Sequence, residues 1–174
     1  MRYRNNGGTV RSHHQGPWLW LALLLLALLL PVLLLPAQAD EPQLLGRWKS
    51  DRQRTMDFAR KHALLEAKTV RFLEQLMGHL VLTFKPGMVT SDMPAIEVLS
   101  ASGKHSRFTA YTNHDAYTVL GKTDTQIALS SIDPYTKRPF ITIYNFESKD
   151  VMWVYTANPL MPDLHLREYF VRLP

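Results

Sequence analysis

The chain passes through three regimes of hydrophobic and polar patterning. Residues 18–35 carry no polar side chain and are interrupted only by Pro31. As a helix rising about 1.5 Å per residue they reach roughly 27 Å, just short of a hydrocarbon core about 30 Å thick. Residues 52–77 switch to spacings of three and four. Met56, Ala59, Ala63 and Ala67 form a narrow apolar stripe, and Val70, Leu73, Leu76 and Met77 a stronger one, the period of amphipathic helices. The phase slips near Leu65 to Lys68, which predicts two helices joined by a bend. Phe58 and Leu65 lie opposite the first stripe, so that helix is expected to be covered on two sides. Thr55 is its expected cap, with Asp57 near its positively polarised start, and Gly78 is the expected stop of the second.

From His79 onward the period becomes two. Leu80, Leu82 and Phe84 alternate with His79, Val81 and Thr83 before Lys85-Pro86-Gly87 turns the chain. Further runs follow at 88–92, 96–99, 106–112, 116–121, 125–131, 140–146, 151–156 and 166–172. Between several of them stand turn formers, among them Asn113-His114-Asp115, Lys122-Thr123-Asp124 and Ser148-Lys149-Asp150. Short strands at this spacing predict an antiparallel meander. With a first strand around Trp48 there are eight or nine strands, a number that closes readily into a barrel and leaves room for side chains or one small ligand. The expected class is therefore mainly β, an up-and-down antiparallel barrel. Two short helices are inserted after the first strand, and a hydrophobic targeting helix precedes the domain.

The first strand, Leu44-Leu45-Gly46-Arg47-Trp48-Lys49-Ser50, places a Gly two residues before a Trp. A ring there can lie across the closed end of a small barrel, because the Gly has no side chain to hold the neighbouring backbone away. Such a ring buries about 150 to 250 Å², worth at most roughly 4 to 6 kcal/mol at about 25 cal/mol per Å². Gly46-x-Trp48, the helical segment directly after it, the run of strands, and a last strand Arg167-Glu168-Tyr169-Phe170-x-Arg172 together resemble the lipocalin or calycin barrels, in a small exported bacterial form. The resemblance spans roughly residues 44–173. It implies a barrel that binds a small apolar or amphipathic molecule, and an Arg of the last strand stacked on the motif Trp, a cation-π contact of about 0.5 to 2 kcal/mol. Arg167 and Arg172 are both candidates, and alternation alone does not choose between them. The helices after Trp48 are longer than the short turn usual in that family, and a Thr-Asp-Tyr-like triplet is not evident.

Composition changes the picture mainly at the N-terminus. Arg2, Arg4 and Arg11 precede the apolar run without an acid, and Pro36-Ala37-Gln38-Ala39-Asp40 follows it. Ala37 and Ala39 put small residues at both positions a signal peptidase reads. Residues 1–39 are thus a signal peptide or a signal anchor, 40–43 a linker and 44–174 the barrel. In either case the positive-inside rule keeps the basic arm cytoplasmic and exports the domain, which becomes periplasmic or membrane-anchored. The whole chain carries +5. Removing 1–39 takes three of twenty Lys and Arg and none of fifteen acids, leaving +2, so a nucleic-acid surface is not indicated. There is no Cys, which rules out disulfide staples and a lipid-modified Cys.

The candidate ligand lining is Phe108, Tyr117, Phe140, Tyr144 and Trp153 on successive strands, with Phe72 and Met77 from a helix over the mouth. The same side chains would equally fill the interior of a barrel with no cavity. Five histidines, His62, His79, His105, His114 and His165, follow the leader without metal-ligand spacing. His105, His114 and Asp115 would meet only across a hairpin at Asn113, and neither a metal nor a cofactor is expected. Ser130, Ser131 and Asp133 lack a nucleophile elbow, and no acid pair stands in a distinguishing context, so no catalytic residue is assigned. Asp133-Pro134-Tyr135 with Lys137-Arg138 is a polar loop, read as a solvated turn rather than a partner-binding tip. Two functions are open to such a chain: an exported barrel that binds a small apolar ligand or lipid, or a filled barrel serving as an interaction or structural module of the envelope.

Overall fold

The computed structural model describes residue 41 and residues 43–99, 103–133, 136–156 and 165–174. The chain divides into two compact units, Met1–Gln38 and Ala39–Pro174. The apolar run 18–35 and the pair Ala37 and Ala39 lie outside the described residues, and every described strand and helix belongs to the second unit.

Strand β1 (Gly46–Ser50) is followed by helices α1 (Arg52–His62) and α2 (Ala67–Leu76). Then come β2 (Val81–Lys85), β3 (Met88–Met93), β4 (Ile96–Leu99), β5 (His105–Phe108), β6 (Tyr111–Lys122), β7 (Gln126–Ile132), β8 (Pro139–Ser148), β9 (Val151–Tyr155) and β10 (Arg167–Arg172). Eight of these strands form a closed barrel in the order β1-β10-β9-β8-β7-β6-β3-β2, while β4 and β5 pair only with each other. Every neighbouring pair is antiparallel. The expected meander closes as predicted, with the β4–β5 ribbon as an excursion between β3 and β6.

One end of the barrel is closed by the first and last strands. Trp48 is fully buried, and its indole N–H donates to the Leu44 carbonyl at 2.8 Å. Register pairs Trp48 with Arg172, whose guanidinium carbon lies 4.2 Å from the centre of the Trp48 ring. Arg172 is therefore the stacking partner. Arg167, an odd number of residues away, points to the other face of β10. Arg172 also donates from Nη1 to the Leu45 carbonyl at 2.6 Å, from Nη2 to the Gln43 carbonyl, and from Nε to the Lys149 carbonyl at 3.0 Å. Gly46 has φ +115, and a Cβ there would sit 3.0 Å from Arg172 Nη1, so both backbone and space require glycine. Above this plug, Leu82, Phe84, Phe146, Met152 and Phe170 fill the interior.

The helices form as the spacing predicts, with a different cap. Asp51 caps α1, accepting the Arg54 N–H at 3.1 Å. Thr55 is instead fully buried, and its Oγ1 accepts the Tyr169 N–H at 2.9 Å. The reason is that β1 ends at Ser50, and Asp51 N–H still reaches the Tyr169 carbonyl at 2.7 Å. The Tyr169 N–H beyond it has no strand to bond, and a buried donor without a partner costs about 1 to 3 kcal/mol. Both apolar stripes meet in a second cluster of Met56, Ala59, Met77 and Leu166, with Leu65, Val70 and Leu73 against it. Phe58 covers the other side of α1, its ring 5.3 Å from that of His165 and 6.2 Å from that of Tyr169. Gly78, at φ +88, follows the end of α2. Gln75 of α2 holds the ribbon by both amide atoms, accepting from Leu99 N–H at 2.7 Å and donating to its carbonyl at 3.2 Å.

One turn is corrected. Asn113, His114 and Asp115 lie inside β6, opposite Ser91, Thr90 and Val89 of β3. The expected strand 106–112 is in fact the end of β5 and the start of β6. His114 Nδ1 pairs with Thr90 Oγ1 at 3.0 Å, so the His105–His114–Asp115 grouping that required a hairpin is not made. Among the described residues no group of three or more His, Asp or Glu is placed to hold a metal.

Two substitutions test the plug. Trp48→Ala is expected to cost about 3 to 5 kcal/mol in chemical denaturation, and stability near wild type would remove the ring from this role. Gly46→Ala is expected to cost about 1 to 3 kcal/mol from the positive φ alone. In an Arg172→Ala background, which opens the space next to the new methyl, the same change should cost less.

Candidate functional site

Strand register divides the inner face of the barrel into two halves of different character. Toward the plug, the inward residues include a buried apolar and aromatic set, Phe84, Val89, Tyr117, Ile127, Tyr144 and Phe146, with Asp115 opposite Val89 and Lys122 opposite Ile127 as less buried charged positions. The ring centres of Tyr117 and Tyr144 lie 6.1 and 5.3 Å from that of Phe84, edge to face. Toward the other end the inward positions become Ser91 and Asn113, Ser131 and Phe140, Thr142, and Glu168 opposite Val154. These positions keep part of their surface exposed, while Leu82, Leu129 and Met93, which share the inner face with them, are buried.

Among the described residues, the only fully buried side-chain polar atom without a partner is Arg167 Nε. The unbonded hydroxyls of Ser91, Ser131 and Thr142 must therefore open onto space that admits water. Together with Phe140 and Val154, these polar groups outline a cup of mixed character above an apolar floor.

Glu168 is the ionisable group set deepest in this cup. Its Oε1 accepts from Ser50 Oγ at 2.7 Å, and Ser50 Oγ accepts in turn from the Gly78 N–H at 3.0 Å. Ser50 is thus fixed as a donor to Glu168 by the backbone that leaves α2. Among the described residues, Glu168 Oε2 has no hydrogen-bond partner and Glu168 forms no ion pair. Burial pushes its carboxyl above the usual range, against the opposing pull of the Ser50 hydrogen bond. The Tyr144 phenol is raised by burial and then by the negative charge of Glu168. Tyr117 is raised by burial and by its contact with Glu41, whose Oε1 lies 2.6 Å from the phenol oxygen at the plugged end.

The expected lining residues separate. Tyr117 and Tyr144 share the interior but belong to the floor, and Phe140 stands above them near the rim, 43% exposed. Met77 is buried in the helix cluster with Met56 and Leu166, and Phe72 lies half-buried on α2. Phe108 is on the β5 ribbon, its ring centre 6.3 Å from that of Tyr111. Trp153 faces outward, because Met152 beside it takes the interior position opposite Phe146. Its ring carries Arg167, whose guanidinium carbon is 3.9 Å from the ring centre of Trp153, 4.6 Å from that of Phe58 and 5.3 Å from that of Tyr155. This cation-π stack fastens α1 to the outside of β9 and β10 and keeps Arg167 away from the cup. Glu168 itself was not among the expected residues. Its signal was present, since alternation puts it on the face of Phe170.

Outside the barrel, a groove of about 740 Å³ runs between Arg47, Lys49 and His79 on one side and Pro94 and Ala110 on the other. Arg47 and Lys49 face solvent there. No helix among the described residues is long and apolar enough to cross a membrane. No family model and no curated protein matches the chain.

The raised Glu168 carboxyl has a definite sign in folding. The native state binds this proton more readily than the unfolded chain, so stability declines as pH rises from the unfolded carboxyl range, about 4.3, through the raised native value. Glu168→Gln keeps the acceptor for Ser50 and removes the charge. It is expected to melt higher than wild type at pH 7, with the two curves converging below about pH 4, and a constant difference across that range would contradict this environment.

Proposed function

We propose that the chain is an exported, lipocalin-like barrel that binds a small amphipathic molecule non-covalently. The observation that supports this reading is the division of the inner face: a packed floor beneath a cup in which the protein itself leaves the hydroxyls of Ser91, Ser131 and Thr142 unbonded. A filled barrel buries or pairs such groups, whereas a binding site keeps a few convergent polar groups over apolar walls. The ligand would lie with its apolar surface along Val154 and Phe140 and its polar end toward Ser131, Thr142 and Glu168. The Gly46, Trp48 and Arg172 plug is the lipocalin-like part of the proposal. Export rests on the apolar run 18–35 and the basic arm before it, with the domain periplasmic or held at the membrane by that run.

The second reading, a protein-interaction or structural module of the envelope, is favoured by a different feature. Leu120, Ile132, Ile141 and Ile143 stand on the outer face of β6, β7 and β8, 55%, 53%, 63% and 48% exposed. Several exposed branched residues on neighbouring strands are more than the scattered singles a monomer usually shows.

Native mass spectrometry of protein purified without detergent exchange from the cells that make it separates the two. A mass excess of a few hundred daltons that disappears on denaturation is expected for the binding barrel. A bare mass, or a mass excess that is another protein chain, favours the interaction module. The denatured mass also reports whether residues 1–39 have been removed, as cleavage after Ala39 requires.

A further inference from the structure

We infer that the cup selects a ligand carrying a protonated amine, held by Glu168. The inference rests on the binding reading above and follows from the charges that face the cup. Glu168 points inward opposite Val154, and Asp115 points inward opposite Val89. Of the two inward cations, Arg172 is spent in the plug on the carbonyls of Gln43, Leu45 and Lys149. Lys122 lies at the same end, opposite Ile127. The neighbouring cation on β10, Arg167, is held on the outer face by Phe58, Trp153 and Tyr155.

The remaining polar groups of the cup, Ser91, Asn113, Ser131 and Thr142, are neutral. Among the described residues the cup therefore holds one acid, Glu168, and no cation of its own, while the other inward acid, Asp115, lies lower, opposite Val89 of the floor.

A carboxylate in such a place is costly until a cation joins it. Glu168 offers one oxygen already occupied by Ser50 and one, Oε2, with no hydrogen-bond partner among the described residues. An ammonium group has three donors and gives Oε2 a hydrogen bond in place of water together with a compensating charge, as a charge-assisted contact about twice as strong as a neutral one. A neutral alcohol would satisfy the hydrogen bond and leave the charge, and a carboxylate ligand would add a second one. The order expected of otherwise equal ligands is amine, then alcohol, then acid. Val154, opposite Glu168, and Phe140, nearer the rim, suit a short hydrocarbon body attached to the amine.

The test is calorimetric titration of the full chain at pH 7 with octylammonium, 1-octanol and octanoate. Wild-type protein is expected to bind octylammonium at least about tenfold more tightly than octanol, with octanoate weakest. Glu168→Gln, which is isosteric and keeps the Ser50 contact, should bring the amine to within about twofold of octanol while leaving octanol unchanged. Thr142→Phe, which fills the cup, should abolish all three. An amine preference that is absent in wild type, or that survives Glu168→Gln, overturns the inference while binding of octanol keeps the cup as a ligand site. Binding of none of the three overturns the cup itself and the inference with it.

Discussion

Everything in this barrel is arranged around the absence of a side chain at Gly46. Because nothing projects there, the Arg172 guanidinium can sit over the Trp48 ring and still reach three backbone carbonyls, two in the segment that leads into β1 and one on the turn between β8 and β9. A single side chain thereby joins the segment before β1, the end of β10 and the β8–β9 turn. The first two are the ends that must meet for a sheet of eight strands to close on itself, since β1 pairs with β10. Closing the ends of a long chain costs entropy, and the plug is where the native state recovers it, through a buried ring and charge-assisted hydrogen bonds in one site.

The floor of Phe84, Tyr117, Tyr144 and Phe146 concentrates apolar packing in the lower barrel, and Leu82, Leu129 and Met93 continue it above. Beside them stand Ser91, Ser131, Thr142 and Glu168, residue types that a core does not accept without partners. The helices then stabilise the upper barrel from outside. Met56, Ala59, Met77 and Leu166 form their own small core, and the Arg167 stack on Phe58 and Trp153 ties α1 to the wall.

Much of this was legible in the chain. Gly46-x-Trp48, the two helical stripes, the bend between them and the closing meander all follow from local patterning, which is strong wherever one face of an element is buried. Legibility fails where that condition fails. Residues 111–116 of β6 have no residue buried on either face, so they carry no alternation, and Asn113-His114-Asp115 reads as a turn. Trp153 reads as interior because it is aromatic, yet its neighbour Met152 takes the inner position and the Trp is covered by Arg167 from outside. The choice between Arg167 and Arg172 needed the pairing of β10 with β1, which is a tertiary fact. Glu168 could have been found, since it alternates with Phe170, but a charged residue on an inner face argues against itself until the cup above it is known.

The meeting of β10 with α1 carries a kinetic meaning. Along most of the barrel each strand is held by a ladder, in which neighbouring bonds reinforce one another and open together. Above Phe170, β10 passes from a strand neighbour to a helix, and the Tyr169 amide depends on one hydroxyl, that of Thr55. Deuterium uptake at that amide is therefore governed by the docking of α1, which is weaker and more local than unfolding of the sheet. The wall that bears Glu168 is thus held differently on its two sides, by the β9 ladder along its whole length and by the helix alone on the β1 side above Phe170.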